Sequence, residues 1–302
     1  MITSFTREQV ASAGPDDLGN ALERGQIVYF PECPLELPAE GDLEFLRTVS
    51  PRILISKNLS YHPEAGRIRG VAGTREEVGR TQAILKAHSA RVQDFLRRSM
   101  PNLTQEWQVA TSSFRPLEER GRNLSPHASN ELVHVDAGAY GATHGDRILR
   151  FFVNVNTSED RVWASKGTFP ELYRRFGREA GLGDGSPRNL RETALDRVRS
   201  GAARALGSVF SSAHILDSSP YDREMRRFHN FMKDTPAFQS TVDNHREFRF
   251  RPYSAWMVFT DMVSHACVKG QFALVDTFVI RVANCRLADL APIHVLEKGC
   301  AG

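Results

Sequence analysis

Cysteine is scarce in this chain of 302 residues, which contains only Cys33, Cys267, Cys285 and Cys300. None of the four forms a C-x-x-C pair, which argues against a zinc knuckle or a thioredoxin-like redox motif. Their number and scatter give no sign of a disulfide framework. The sequence therefore indicates a protein of a reducing compartment.

Long apolar runs are also missing. No window approaches the ~20 consecutive apolar residues that a membrane-spanning helix needs. The N-terminal segment lacks the basic stretch followed by an apolar stretch that defines a signal peptide. We expect a cytoplasmic protein without a transmembrane segment, and peripheral contact with a membrane surface stays open.

Neither sign of charge dominates the chain. It has 39 basic and 36 acidic residues and a formal net charge of +3, an excess too small to indicate a nucleic-acid-binding protein. The mild basic bias suits an anionic small molecule or an anionic membrane surface, and equally an ordinary solvated surface. The sequence contains no phosphate-binding loop, G-x-G-x-x-G fingerprint or G-x-S-x-G elbow, which disfavours nucleotide-binding enzymes and serine hydrolases.

The hydrophobic pattern predicts an α+β fold in a single domain of residues 1–302, with a helix-rich part at about 1–105 and a helical insertion at about 165–245. A long helix is expected after the capping box that starts at Thr74. Its apolar face carries Ile84, Leu85, His88, Val92, Phe95 and Leu96. Strands are predicted at residues 26–30, 111–115, 133–135, 147–155, 248–250, 254–261 and 272–282. This arrangement is typical of a small β-barrel or jelly roll decorated by helices.

One short motif has the chemistry of a metal site. His134 and Asp136 form an H-x-D step, and residues i and i+2 of a strand point to the same face. His265 follows an apolar strand that could return beside the first one. Two histidines and one carboxylate on one face of a metal form the triad of non-heme iron(II) oxygenases. An H-x-D step also occurs by chance, with the aspartate in a turn and the histidine satisfied within a strand.

The remaining histidines give weaker signals. His88 lies on the apolar helix face and is predicted to be a core residue. His127 and His144 flank the H-x-D step and are within possible reach of a site there. The others lie in polar or loop-like contexts and are interpreted as solvated or structural, namely His62, His214, His229, His245 and His294.

Several blocks of the chain occur together in one order. They are Lys57-Asn-Leu-Ser-Tyr, Ser113-Phe-Arg-Pro-Leu-Glu, Leu132-Val-His-Val-Asp-Ala, Gly145-Asp-Arg-Ile-Leu-Arg-Phe-Phe-Val-Asn-Val-Asn, Arg161-Val-Trp, His229-Asn-Phe-Met-Lys, the segment from Arg251 to Ala266, Gly270-Gln-Phe-Ala-Leu and Asp276-Thr-Phe. These blocks resemble the family of hydroxylases that act on 3-deoxy-D-manno-octulosonic acid (Kdo). The resemblance runs from about residue 25 to about residue 298. In the loop after Asp136 the family usually has Ala-Phe-Pro-Ser, whereas this chain has Ala-Gly-Ala-Tyr.

The resemblance implies a double-stranded β-helix, or jelly roll, with flanking and inserted helices. It implies iron(II) on His134, Asp136 and His265, with 2-oxoglutarate and O₂ as co-substrates. The expected reaction is hydroxylation at C3 of a Kdo sugar in Kdo-lipid A, with release of succinate and CO₂. That reaction takes place at the cytoplasmic side of the inner membrane.

A 2-oxo acid that chelates the metal leaves its far carboxylate in need of a cation, and the arginine fork matches a carboxylate. Arg150 is the first choice, because it shares strand parity with Asn154 and both could point into the barrel. Arg147 has the opposite parity and is the second choice, and Arg281 is a third. Asn154 and Thr277, which lie in blocks that resemble the family, are assigned to the same co-substrate group.

The acceptor would also be anionic, since a Kdo sugar carries a carboxylate and lipid A carries phosphates. Arg115 and Lys57 lie in family-like blocks and are candidate anion contacts. Asn58, Tyr61 and Trp163 are candidates for the lining of the sugar pocket.

Other functions remain compatible with the residues alone. The chain could act on another sugar or small molecule with the same chemistry, or be a catalytically silent β-barrel that binds a glycolipid. A cupin-like metal enzyme without 2-oxoglutarate is a third alternative, and it would need no inward-facing arginine. The sequence does not indicate an oligomeric state.

Overall fold

The computed structural model describes residues 1–138, 141–183, 186, 189–190 and 218–299. The strands are β1 (Ile2–Ser4), β2 (Ile27–Phe30), β3 (Leu59–His62), β4 (Arg67–Arg69), β5 (Gln108–Arg115), β6 (Arg147–Asn154), β7 (Arg161–Ser165), β8 (Arg246–Phe250), β9 (Ala255–Phe259), β10 (Ala266–Lys269) and β11 (Ala273–Ile280). The helices are α1 (Arg7–Ser12), α2 (Asp17–Glu23), α3 (Glu40–Ile53), α4 (Arg75–Ser99), α5 (Phe169–Phe176), α6 (Pro220–Asp234), α7 (Pro236–Ser240) and α8 (Pro292–Lys298).

Two β-sheets form the centre of the molecule. The larger sheet has the strand order β1-β2-β9-β6-β11-β5-β3-β4, and the smaller sheet has the order β10-β7-β8. The sheets face each other, because Trp163 of β7 packs edge-on against Phe152 of β6 and Trp256 of β9, with ring centroids 4.8 and 5.6 Å apart. The predicted jelly roll is confirmed.

Helix α4 covers the outer face of the larger sheet. It begins with the predicted capping box, in which Thr74 and Glu77 cap each other's backbone N–H groups. Its residue Phe95 packs edge-on against Phe151 of β6, with the ring centroids 5.8 Å apart. His88 is fully buried on the same face, as predicted, and its Nε2 lies 3.2 Å from Asp276 Oδ2 of β11.

Strand alternation then separates two sets of side chains on the larger sheet. Odd-numbered residues of β6, such as Phe151, face α4, whereas the even-numbered Arg150 and Phe152 face the smaller sheet. The register continues this division across the sheet, since Thr277 of β11 is paired with Arg150 and Val275 with Phe152. The space between the sheets therefore receives one parity of residues from each strand.

The predicted helical insertion contains α5, α6 and α7 among the described residues, and residues 191–217 lie outside them. Ser219 is the N-cap of helix α6 and forms a capping box with Asp222. Asp222 also accepts hydrogen bonds from the backbone N–H groups of Thr143 and His144, and so ties the insertion to the segment after the H-x-D step. No helix in the described part of the chain is long and apolar enough to cross a bilayer.

One predicted strand is shorter than expected. Residues 133–135 form only an isolated bridge, in which His134 and His265 exchange backbone hydrogen bonds of 3.1 and 2.8 Å. The pairing stops there because the Asp136 N–H turns to the carbonyl of Thr260, 2.8 Å away. Strands β1, β3, β4, β7 and β10 are not predicted from the sequence.

Candidate metal centre and its cavity

The structure brings His134, Asp136 and His265 together. One ligand atom from each residue can be chosen so that all three lie within 4.8 Å of one another. His134 Nε2 is 3.6 Å from Asp136 Oδ1. The bridge between the two histidine backbones sets this geometry, because it fixes the end of the H-x-D segment beside the end of the returning chain.

Both histidines are held in the orientation of a metal ligand. His134 Nδ1 lies 2.7 Å from the carbonyl oxygen of Leu132, and His265 Nδ1 lies 3.0 Å from that of Val263. A carbonyl oxygen only accepts, so each Nδ1 carries the proton and each Nε2 keeps its lone pair. Such hydrogen bonds are the usual supports of metal-bound imidazoles.

The protonation states also fit a divalent cation. Burial lowers the pKa of His265 to about 4 and that of His134 well below its usual value. Burial by itself raises the pKa of Asp136, but the Arg150 guanidinium and the neighbouring histidines hold it well below its ordinary range. At neutral pH the site therefore offers two neutral imidazoles and one carboxylate, which is a suitable donor set for iron(II).

The triad opens into a cavity of about 380 Å³ between the two sheets. Its lining is rich in basic side chains and also contains hydroxyl and aromatic groups. The lining residues are Ser56, Lys57, Asn58, Ser60, Ser113, Arg115, His127, Asn130, His134, Asp136, Arg150, Phe152, Trp163, His229, Lys233, His265, Cys267 and Val275.

Two arginines face this cavity. Arg150 donates from Nε to Asp136 Oδ2 at 2.9 Å, and among the described residues its terminal nitrogens make no hydrogen bond. Arg115 Nη1 lies 3.5 Å from Glu119 Oε1, a carboxylate that Arg161 and Arg122 also approach. Both guanidinium groups therefore have N–H donors that are available to an anion.

Two lysines complete the basic lining. Lys57 Nζ donates to the carbonyl of Ala128 and to Asn130 Oδ1, and Lys233 Nζ donates to the carbonyls of His127 and Ser129. Burial lowers the pKa of Lys57 to about 7 and that of Lys233 to about 8. Each ammonium group has three donors and uses two of them here, so one donor remains on each.

Five of the residues predicted for co-substrate or acceptor line the cavity, namely Arg150, Arg115, Lys57, Asn58 and Trp163. Trp163 also stacks on the ring of His265, with the centroids 5.1 Å apart and an interplanar angle of 23°. Its position beside this candidate metal ligand follows from the pairing of β7 with β10.

Other predicted residues are not brought to the cavity. Arg147 lies on the outer face of β6 and forms a fully buried ion pair with Asp261, 2.6 Å away. The expectation that Arg147 contacts the co-substrate is therefore corrected. Asn154 has the predicted parity, but its amide donates to the carbonyls of Glu159 and Phe250 and holds the turn after β6.

Three more residues lie away from the cavity. Tyr61 is paired with Ser112 in the β3–β5 register, so it points to the helix-covered face of the sheet. The expectation that Tyr61 lines the sugar pocket is therefore corrected. Thr277 is buried opposite Arg150 on the inner face, but it does not reach the cavity wall. Arg281 lies 3.4 Å from Glu106, and both side chains are more than half exposed.

Sequence reasoning missed His229 and Lys233. Both stand on α6, four residues apart and therefore on one helix face, and both line the cavity. The family-like block His229-Asn-Phe-Met-Lys and the i, i+4 spacing were the available signals. His127 lines the cavity as well, whereas His144 does not. Residues 139–140 of the loop after Asp136 lie outside the described part.

Comparison with known proteins identifies the family of this chain. A family model described as 3-deoxy-D-manno-oct-2-ulosonic acid (Kdo) hydroxylase matches residues 6–301. The chain belongs to the Kdo hydroxylase family. No match was found among curated proteins.

Solved structures agree with this Kdo hydroxylase assignment. The chain is similar to the apo structure of the Kdo hydroxylase KdoO, a non-heme Fe(II) alphaketoglutarate-dependent dioxygenase, at 28% identity and a TM-score of 0.78. The match covers 98% of this chain and 94% of that one. KdoO in complex with alphaketoglutarate and Fe(III) matches at a TM-score of 0.77, and its complex with succinate and Fe(III) at 0.78, with the same identity and coverage.

Proposed function

We propose that this Kdo hydroxylase uses iron(II), 2-oxoglutarate and O₂ to insert one oxygen atom into the C3–H bond of a Kdo sugar in Kdo-lipid A, with release of succinate and CO₂. The observation that carries the proposal is the triad of His134, Asp136 and His265, which opens into a cavity lined by Arg115 and Arg150. Family membership and the similarity to KdoO bound to alphaketoglutarate support the same reaction.

The two Nε2 atoms and the Asp136 carboxylate would hold the metal. Iron(II) bound there supplies the electrons that activate O₂ together with the 2-oxo acid. The chain's own residues keep the donors in place. The carbonyls of Leu132 and Val263 fix the imidazoles, and Arg150 fixes the carboxylate through its Nε.

Arg150 is our proposed partner for the far carboxylate of 2-oxoglutarate. It is next to the metal ligand Asp136 and presents terminal N–H groups to the cavity. Thr277, its cross-strand neighbour, would support the position of its stem. Arg147 and Asn154 are engaged elsewhere, and we propose structural roles for them.

The charge of the cavity favours an anionic acceptor. Lys57, Arg115, Arg150 and Lys233 line it, with Asp136 in the wall and Glu119 behind it. A bound divalent metal would add to these positive charges. The two carboxylates of 2-oxoglutarate and those of Asp136 and Glu119 would not neutralise all of them, so positive charge would remain in the cavity. The carboxylate of a Kdo sugar would fill this role, with Lys57, Arg115 and Lys233 as its contacts and Asn58 and Trp163 beside the ring.

We propose that the enzyme works in the cytoplasm and meets its membrane-held acceptor at the inner face of the inner membrane. Helix α6 is amphipathic, but its apolar residues Tyr221, Met225, Phe228 and Met232 are buried in the protein core. Its exposed residues Arg223, Arg226 and Arg227 could therefore support only electrostatic contact with anionic lipids.

The experiment is anaerobic addition of iron(II) and 2-oxoglutarate, followed by the visible metal-to-ligand charge-transfer band. We expect a band with the wild type and none with His265→Ala. A folded, metal-loaded protein that gives no band would contradict the proposal and favour a silent glycolipid-binding module or a metal enzyme without 2-oxoglutarate. A band without conversion of Kdo-lipid A would point to another sugar or small-molecule acceptor.

A further inference from the structure

Helix α6 makes direct contact with the H-x-D segment through His229. The Nδ1 atom of His229 lies 2.7 Å from the carbonyl oxygen of Val135, the residue between the two ligands. The His229 ring also stands edge-on to the His134 ring, with the centroids 5.0 Å apart and an interplanar angle of 80°. One side chain from the insertion therefore touches both the backbone and a ligand ring of the candidate metal site.

The hydrogen bonds of this segment show why the contact matters. His134 exchanges both its backbone hydrogen bonds with His265, and the Asp136 N–H is bonded to Thr260. Within the described residues, no backbone N–H donates to the carbonyl of Val135, which is fully buried. His229 is the donor there, and a buried carbonyl without its donor is costly.

The direction of this hydrogen bond is fixed. A carbonyl oxygen accepts, so His229 Nδ1 carries a proton and donates it to Val135. The start of helix α6 is fixed in place, because Asp222 accepts hydrogen bonds from the Ser219 hydroxyl and from the Thr143 N–H. Phe228 and Met232, on either side of His229 along the helix, are buried in the core and fix the helix in place.

We infer that His229 is a positioning residue that holds His134 and Asp136 in the geometry of metal ligands. The inference rests on the proposed function, since it concerns the same metal site. It assigns a role to the helical insertion, which supplies a hydrogen bond that the short bridge at His134 cannot make. Loss of an outer support of this kind commonly weakens metal affinity by about 10- to 100-fold.

The test is anaerobic titration of the full-length metal-free protein with cobalt(II), followed by the d–d absorption spectrum. The variants are His229→Leu, His229→Asn and His229→Gln. Asparagine places an amide nitrogen at the position of Nδ1, and glutamine places it one bond farther from the backbone. Arg226→Gln, on the exposed side of the same helix, is the matched control. Thermal unfolding of each metal-free variant reports whether it folds.

We expect cobalt(II) to bind wild type, Arg226→Gln and His229→Asn with similar affinity. His229→Gln and His229→Leu should bind about 10- to 100-fold more weakly, with a changed d–d spectrum. Unchanged affinity and spectrum in His229→Leu would overturn the inference. Equal weakening in His229→Asn and His229→Gln would also overturn it, and this comparison stands even if His229→Leu does not fold. Failure of the wild type to bind cobalt(II) would instead overturn the proposed metal site itself.

Discussion

Replacement of Arg150 by leucine tests how the cavity recognises 2-oxoglutarate. In the proposed complex the terminal N–H groups of Arg150 bind the far carboxylate, in a wall where the side chain is only 15% exposed. A charge-assisted hydrogen bond contributes about 1.5–3 kcal/mol to binding. The Arg150→Leu variant should therefore bind 2-oxoglutarate roughly 10- to 150-fold more weakly.

Arg150 also donates to Asp136, so the loss could act through the metal. The assay must therefore measure metal affinity and 2-oxo acid affinity separately, on the metal-loaded protein without O₂. A second 2-oxo acid that lacks the far carboxylate, 2-oxobutyrate, isolates the contact in a thermodynamic cycle. We expect Arg150→Leu to weaken 2-oxoglutarate strongly and 2-oxobutyrate little.

Two results would refute this reasoning. If both 2-oxo acids lose the same affinity in Arg150→Leu, the arginine does not contact the far carboxylate. If Arg115→Leu alone shows the selective loss, the carboxylate is bound by Arg115 and the assignment to Arg150 is wrong.

Three further predictions concern pH and stability. Burial lowers the pKa of Lys57 to about 7 and that of Lys233 to about 8, so both ammonium groups lose charge as the pH rises through those values. Affinity for an anionic acceptor should therefore fall between about pH 6 and 8.5, and Lys57→Met should remove the inflection near pH 7 while the one from Lys233 near pH 8 remains. Arg147→Met should leave Asp261 buried without its partner and cost about 3–5 kcal/mol in denaturant unfolding, while the affinity of the folded protein for 2-oxoglutarate stays unchanged. Leu85→Ala, at a fully buried site of α4, should cost about 2–5 kcal/mol in the same assay. An acceptor affinity independent of pH, or changes under 1 kcal/mol in the two stability variants, would contradict these expectations.

The sequence predicts the local elements and the candidate metal ligands because both depend on short patterns. The apolar spacing on α4 and its capping box describe a helix with one buried face, and His88 falls on that face as expected. The H-x-D step supplies two candidate ligands from neighbouring positions. His265 could be proposed because it follows an apolar strand, and the structure pairs it directly with His134.

The cavity walls could not be predicted to the same extent, because they depend on register and on contacts between distant elements. Tyr61 lies on β3, an unpredicted strand, and its pairing with Ser112 turns it away from the cavity. Asn154 has the strand parity of a cavity residue, but its amide is hydrogen-bonded to the carbonyl of Glu159 in the turn after β6. His229 and Lys233 share a helix face, yet only the packing of α6 shows that this face meets the H-x-D segment.

The most direct test of the central claim is turnover of Kdo-lipid A by the iron-loaded enzyme with 2-oxoglutarate and isotopically labelled O₂. Mass spectrometry should show that the Kdo sugar gains one labelled oxygen atom, in step with the succinate that is formed and only when all components are present. An unchanged acceptor mass, with succinate formed at the same rate with and without acceptor, would contradict the account.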